Sequence, residues 1–276
     1  MAIVNSRAAI EPKTGKAAIF VNETIHSLIR KLFANNEQGF AYDPNDLTTM
    51  FQDAAGTVPV TEVGQPVGLI RDKSGRNNHA YQTTSASRPI LRKNAVTGAN
   101  YLEFDGSDDF LQTSNIDFTS TDKVSLFAGI TSLSNSAGII AELSNTIANT
   151  GAFTLMNSGG GLGDYITGSN LGTYKVQASI SYQKPDKSVL AMSNYSQGIQ
   201  SVTLRRNGVL AGSNTASQGS GKHGNYPLYI GRRGGTSIPF NGHIYGLIGI
   251  GKLAADDETA AIEKELSKRV GVTLNV

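Results

Sequence analysis

The sequence contains no cysteine, which excludes disulfide bonds, thiolate metal sites and a cysteine nucleophile. It also contains no run of the roughly 20 apolar residues that a membrane-spanning helix needs. The first sixteen residues, MAIVNSRAAIEPKTGK, have no apolar stretch typical of a signal peptide. We therefore expect a protein that is made in the cytoplasm of the producing cell, without a signal peptide, and that does not insert into a membrane.

Charge is also scarce. Only 17% of the 276 residues are charged and the formal net charge is +2. This charge does not by itself imply a polyanionic partner, and we expect no nucleic acid as a partner. Thirty-one glycines accompany this low charge, and glycine is the residue that tight turns with positive φ favour. The composition indicates a β-rich protein with many turns, long enough for one large all-β domain or two ordinary ones.

The N-terminal region is predicted to be an extended arm followed by an amphipathic helix. Its apolar residues follow the i, i+3, i+4, i+7, i+8 spacing of one helix face, and Asn22 is a plausible N-cap. These residues are Ile25, Leu28, Ile29, Leu32 and Phe33. Two interpretations stand side by side: the stripe packs on the chain's own domain, or residues 1–39 form an attachment or oligomerisation element outside a β domain at residues 40–276.

Between residue 40 and about residue 250 the sequence favours strands. Short β-prone runs occur at residues 124–133, 176–182, 188–195 and 227–233, separated by glycine, asparagine and serine clusters, as in a sandwich or barrel. Asn207-Gly208 lies between two such runs and favours a type I′ hairpin turn, while residues 157–172 are interpreted as a loop or a loosely ordered hairpin. The last 22 residues predict a helix with acidic residues in its first turn and Gly271 at its end.

The stretch YLEFDGSDDFLQT at residues 101–113 concentrates carboxylates. Strand alternation places Leu102 and Phe104 on one face, and the residues that follow Asp105 are turn formers, so the first interpretation is strand, turn, strand. Asp105, Asp108 and Asp109 would alternatively supply oxygen ligands to calcium, although their spacing is not that of an EF-hand.

Catalysis has weaker candidates. Glu103 and Asp105 lie two residues apart on one strand face, as a glycosidase pair would require, but no tryptophan offers a platform for a sugar ring. The segment RDKSGRNNHAYQ at residues 71–82 holds Asp72, Ser74 and His79, which are the residue types of a catalytic triad. They lie too close in sequence for that geometry and are interpreted as a turn. We expect no catalytic residues.

Four segments, quoted as they stand in the chain, resemble laminin-G-like and concanavalin A-like jelly-roll domains. YLEFDGSDDFLQT resembles the family's Phe-Asp-Gly turn, DKSGRNNHA its upstream turn, VTLRRNGVLAGS its Asn-Gly hairpin, and residues 227–264 its closing strands and acidic-capped helix. The segments occur in family order over about residues 66–270. The resemblance implies an all-β concanavalin A-like jelly-roll sandwich with an N-terminal arm and helix and a C-terminal helix.

A narrower resemblance concerns residues 37–80, EQGFAYDPNDL to RNNHA, which are similar to segments of tailed-phage virion proteins. It implies a non-enzymatic virion component, such as a capsid decoration, a head fibre or a tail-fibre module, and a homo-oligomer that by analogy is a trimer. Its expected partners are sister chains, capsid or tail proteins and a host-surface glycan, with no cofactor apart from the calcium alternative. The competing hypothesis is a carbohydrate-binding or carbohydrate-active protein on the same fold.

Overall fold

A computed structural model describes residues 23–159, 161–172, 176–195 and 202–275, and, before residue 23, only the backbone of the hairpin formed by β1 (Ala8–Ile10) and β2 (Ala17–Ile19). The rest of the predicted N-terminal arm lies outside the described residues. Two antiparallel sheets make up most of the described chain, and they form a β-sandwich of jelly-roll type, as the sequence predicts.

The first sheet has eight strands in the order β17-β16-β15-β10-β19-β8-β7, with β3 beside the second half of β19. Its strands are β3 (Gly39–Tyr42), β7 (Ile90–Lys93), β8 (Asn100–Asp105), β10 (Val124–Ser132), β15 (Asp186–Asn194), β16 (Val202–Arg206), β17 (Val209–Asn214) and β19 (Asn241–Ile250).

The second sheet has nine strands in the order β14-β13-β12-β11-β18-β9-β6-β5-β4. Its strands are β4 (Met50–Phe51), β5 (Leu69–Ile70), β6 (Ala80–Tyr81), β9 (Leu111–Asp117), β11 (Gly138–Leu143), β12 (Phe153–Asn157), β13 (Gly163–Ser169), β14 (Val176–Tyr182) and β18 (Asn225–Ile230).

The main core lies between the sheets and follows from strand alternation. In β8, Leu102 and Phe104 are buried in this core, whereas Tyr101 and Glu103 face outward and are half-buried. The predicted turn follows at residues 106–109, and β9 then resumes the apolar pattern with buried Leu111. The strand, turn, strand interpretation of the acidic stretch is confirmed.

Helices α1 (Ile25–Leu32) and α2 (Asp256–Val270) cover part of the outer face of the eight-stranded sheet. Their apolar side chains form a second buried cluster with outward residues of that sheet, such as Phe127 and Tyr245. The central strand β10 is therefore buried on both faces, which explains why its sequence is an almost continuous apolar run rather than an alternation. None of the described helices has the length and apolar character needed to cross a membrane.

Small residues let α2 approach the sheet closely. A Cβ atom added at Gly129 would lie 3.0 Å from a methyl carbon of Val270, and one added at Gly246 would lie 2.9 Å from a methyl carbon of Leu266. Side chains at these two positions would push α2 away from the sheet, so the glycines set the depth of the helix.

The predicted apolar stripe of α1 lies within the chain's own interior. All five of its side chains are at most 7% exposed: Ile25, Leu28, Ile29, Leu32 and Phe33. Of the two interpretations of this stripe, the one in which it packs on its own domain describes the structure. Attachment or oligomerisation through residues 1–39 stays a prediction. Because the apolar stripe is buried in this conformation, such a contact would use the exposed side of α1.

Several local predictions need correction. The N-cap of α1 is Thr24 and not Asn22, because the Thr24 side chain accepts a hydrogen bond from the Ser27 N–H and the Ser27 hydroxyl accepts one from the Thr24 N–H. The segment 157–172, predicted as a loop or a loosely ordered hairpin, is a well-paired hairpin: β13 pairs with β12 on one side and along its whole length with β14 on the other. The Asn207-Gly208 hairpin is confirmed, with φ of 51° and 91° at its two central residues.

Candidate functional site

A row of side chains crosses the outer face of the nine-stranded sheet. Residues paired across a ladder point to the same face, and the pairings connect one position on each of six neighbouring strands. The row, from the β4 edge inward, is Phe51, Leu69, Tyr81, Gln112, Tyr229 and Glu142. Helices α1 and α2 cover the other sheet. Within this row Tyr81, Gln112 and Tyr229 are half-buried, whereas Leu69 and Glu142 are buried.

One end of this row opens into a cleft of about 720 Å³, a volume within the range of small-molecule sites. The cleft lies between residues 54–55 on one side and the turn at residues 71–79 on the other. Its lining is Ala54, Ala55, Leu69, Arg71, Asp72, Asn77, Asn78, His79, Tyr81 and Ser114. Most of these side chains are polar, and the cleft therefore suits a hydroxyl-rich ligand better than an apolar one.

The carboxylate of Asp72 organises the turn beside the cleft. It accepts hydrogen bonds from the backbone N–H groups of Ala41, Ser74 and Asn78 at 2.8 to 3.0 Å and from the Ser74 hydroxyl at 2.6 Å. The bond to Ala41 ties the turn to β3 of the opposite sheet. With four donors bound, this carboxylate has little capacity left for a ligand.

His79 has a defined tautomer. Its Nδ1 atom accepts the backbone N–H of Asp72 at 3.0 Å, so in the neutral ring the proton resides on Nε2. The Ser74 hydroxyl donates to the Asp72 carboxylate and to the Gly39 carbonyl. Among the described residues of this turn, Ser74 forms no hydrogen bond with His79. The three residues form a turn and not a catalytic triad, as the sequence predicts.

Arg71 borders the cleft directly after β5. Its guanidinium carbon lies 4.5 Å from the centroid of the Phe51 ring, and its backbone N–H donates to the Thr49 carbonyl at 2.8 Å. The guanidinium thus makes a cation–π contact with the ring, and among the described residues its N–H groups have no hydrogen-bond partner and can bind a ligand. The side chain is exposed.

Two tyrosines give the row its aromatic character. Tyr81 and Tyr229 are both half-buried, and Gln112 pairs with each of them and lies between them. Partial burial raises the pKa of the Tyr229 hydroxyl above its usual value, so it is a neutral hydrogen-bond donor at physiological pH. Each tyrosine offers an apolar ring and a polar hydroxyl to the outer face.

The far end of the row is closed by a buried ion pair. The Glu142 carboxylate is fully buried and accepts two hydrogen bonds from the Arg233 guanidinium, at 2.8 and 2.7 Å. Arg205 binds Glu263 in the same bidentate way, at 2.9 and 3.0 Å. These arginines therefore serve the structure rather than forming an exposed basic patch.

The acidic turn lies elsewhere, at the end of β8. Ligand oxygens of Asp105, Asp108 and Asp109 all lie within 4.8 Å of one another. Burial, together with repulsion from the other two carboxylates, raises the pKa of Asp109 to about 6. Each carboxylate also has a partner in the protein: the N–H of Ser107, the hydroxyl of Ser87 and the N–H of Asp105, respectively.

The calcium alternative for this turn stays a prediction. Three carboxylate oxygens would supply half or less of the six to eight that calcium takes, and the hydrogen bonds already account for the positions of the carboxylates. Glu103 and Asp105, the residues considered as a glycosidase pair, also have partners within the protein. Glu103 forms an ion pair with Arg92 at 2.5 Å, and Asp105 accepts the N–H of Ser107.

Comparison with known proteins supports the fold. No protein-family model and no curated protein matches the sequence. Among solved structures, the receptor-binding domain of the botulinum neurotoxin C/D mosaic serotype aligns with a TM-score of 0.57 and 12% identity over 83% of this chain and 51% of that one. The botulinum neurotoxin DC binding domain in complex with rat synaptotagmin II gives 0.56 and 11% over 84% and 52%.

A third structure, which reports that cell entry of botulinum neurotoxin type C depends upon interaction with two ganglioside molecules, gives a TM-score of 0.55 and 11% identity over 84% of this chain and 52% of that one. The chain thus spans about half the length of these neighbours. At such low identity the likeness shows the jelly-roll fold alone. The neighbours named here are binding domains and not catalytic domains.

Sequence reasoning missed the cleft. Asp72 and His79 drew attention as components of a triad, whereas Arg71 and Tyr81 did not. One signal was present: Tyr81 stands between Ala80 and Gln82, which are both buried, so alternation places its ring on the outer face. The pairing of β5, β6 and β9 that assembles the cleft is a long-range property that no local pattern contains.

Proposed function

We propose that the protein is a non-catalytic binding module that recognises a glycan in the cleft beside β6, and that it serves as a structural component of a phage virion. The observation that carries the binding proposal is the polar cleft of about 720 Å³, which meets the half-exposed ring of Tyr81 on the outer face of the nine-stranded sheet. A sugar needs both an apolar surface for its C–H face and many hydrogen-bonding groups for its hydroxyls, and this cleft offers both.

The chemistry of the cleft favours binding over catalysis. Glycoside hydrolysis needs two carboxyl groups on opposite sides of the scissile bond, but among the cleft-lining residues Asp72 is the single carboxylate. That carboxylate is held by four hydrogen bonds within its own turn. A bound sugar would therefore meet donors and a ring but no free acid and base pair.

A glycan array with labelled protein tests the binding proposal. We expect the wild-type protein to bind a restricted set of glycans and Tyr81→Ala to lose at least about 90% of that signal, because it removes the ring on which a sugar would stack. Tyr101→Ala is the matched control, since Tyr101 is a half-buried tyrosine on the other sheet. Both variants are checked for unchanged far-UV circular dichroism. Absence of any glycan signal, or equal loss in both variants, would contradict the proposal.

The virion setting is supported by the resemblance of residues 37–80 to tailed-phage proteins. Particles purified from a lysate of the strain carrying the gene should contain the protein by mass spectrometry. Immuno-electron microscopy should then locate it on the capsid or the tail. Light scattering of the recombinant protein should give a homo-oligomer. A monomer that is absent from purified particles would contradict this part of the proposal.

A further inference from the structure

We propose that the ligand of the cleft is an acidic saccharide, and that Arg71 binds its carboxylate or sulfate group. This inference rests on the proposed glycan-binding function and narrows it to a ligand class. The charges and hydrogen-bonding groups that line the cleft carry this inference.

Arg71 carries a positive charge with no carboxylate partner. Its guanidinium forms no ion pair within the described part of the chain, and it lies over the ring of Phe51. Some other arginines of the sandwich are neutralised, as Arg92 is by Glu103 and Arg206 by Asp186. A guanidinium carries a planar fork of N–H groups that can bind a planar or tetrahedral anion with two hydrogen bonds, and the contact with Phe51 restrains it beside the cleft.

The nearest negative charge in the lining does not compete for Arg71. The Asp72 carboxylate accepts three backbone N–H groups and the Ser74 hydroxyl, and these donors fix it toward its own turn. The Asn78 amide is similarly occupied, because its Nδ2 donates to Gln38 and Gly39 at 2.8 and 2.7 Å.

The remaining polar groups can each donate a hydrogen bond to a ligand. Nε2 of His79 carries the ring proton because Nδ1 accepts the Asp72 N–H, and the exposed side chains of Asn77 and Ser114 add an amide and a hydroxyl. The Tyr81 hydroxyl also belongs to the lining. The charge of Arg71, without an ion-pair partner among the described residues, therefore favours a ligand with a negative charge, and the neighbouring groups can donate hydrogen bonds to its oxygen atoms.

The test compares Arg71→Gln with Arg30→Gln on a glycan array that contains neutral, carboxylated and sulfated saccharides. Arg30 is the matched control, because it is an exposed arginine on α1, covering the other sheet, and its loss changes the net charge equally. We expect the wild-type signals to come mainly from acidic saccharides, and titration of the strongest one to show about tenfold or greater weakening in Arg71→Gln, since charge-assisted bonds are lost. Arg30→Gln should stay within about twofold of wild type.

Arg71→Lys adds a second measurement. It keeps the charge but loses the fork and the stacking, so it should bind more weakly than wild type and more tightly than Arg71→Gln. Wild-type affinity for the acidic saccharide should also fall as the NaCl concentration rises.

Each outcome is decisive. Carboxylated and sulfated saccharides on the same array show which anion the guanidinium accepts. Binding confined to neutral glycans, or acidic binding unchanged in Arg71→Gln, would overturn the inference while leaving glycan binding intact. Absence of all glycan signals would overturn the proposed function itself.

Discussion

Truncation of Leu32 tests whether α1 belongs to the folded domain in solution. Leu32 is 1% exposed and lies in the cluster between the helices and the eight-stranded sheet. Leu32→Ala removes the buried side chain and leaves a cavity, which costs about 2–5 kcal/mol in well-packed interiors. For a chain of this size the same loss would lower Tm by roughly 4–20 °C, taking about 2–4 °C per kcal/mol.

The measurement is urea unfolding followed by circular dichroism, with the wild-type protein and Arg30→Ala as the reference pair. Arg30 is exposed on the same helix, so its truncation should change stability by less than about 0.5 kcal/mol. We expect an unchanged m-value and a lower midpoint for Leu32→Ala. A loss below about 1 kcal/mol would mean that α1 is not packed on the sheet in solution, and its stripe would then be available for attachment.

The remaining predictions concern the sandwich and the acidic turn. Gly231→Ala should destabilise the fold by on the order of 2 kcal/mol in urea unfolding. The backbone φ is +88° at this position, and an added Cβ would lie 2.4 Å from the Phe104 ring. An unchanged free energy of unfolding would contradict this packing. Glu142→Gln should cost on the order of 2 kcal/mol by leaving the partly buried Arg233 without its charge partner, so full stability in that variant would refute the ion pair. The folded pKa of Asp109, about 6, lies above the unfolded value of about 3.9, and the folded state therefore binds more protons between these two pH values. The contribution of Asp109 to stability should therefore decrease as the pH rises from about 4 to 6. The free energy of unfolding of the wild type relative to Asp109→Asn should fall across this range, whereas a constant difference would show that Asp109 does not titrate there. Because each acidic side chain of this turn has a protein partner, a chelator should leave the wild-type Tm unchanged; a drop of several degrees would show that an ion is bound.

Strand and turn positions were predictable where local chemistry determines them. The Asn207-Gly208 hairpin needs positive φ at both central residues, and the structure has it. Leu102 and Phe104 were assigned to the core by alternation, and both are buried there. Helix α2 ends at Val270, and the residue that follows, Gly271, has a left-handed backbone conformation. Its position after the last apolar residue indicated this role.

Features that depend on distant pairing were not predictable. The segment at residues 157–172 looks like a loop because it is rich in glycine, yet β13 is held as a strand by its ladders with β12 and β14. The cleft depends in the same way on β5, β6 and β9 lying side by side, with their outward residues brought together from three separate parts of the chain. Local pattern identifies which face a side chain occupies but not which neighbours it meets there.

Nuclear magnetic resonance mapping tests the central claim most directly. Backbone amide shifts of the wild-type protein would be followed during titration with the strongest acidic saccharide from the array. We predict that the largest changes lie at residues 71–81 and at Ser114, around the cleft. Changes concentrated instead at the acidic turn, or on the eight-stranded sheet, would contradict the assignment of the recognition surface.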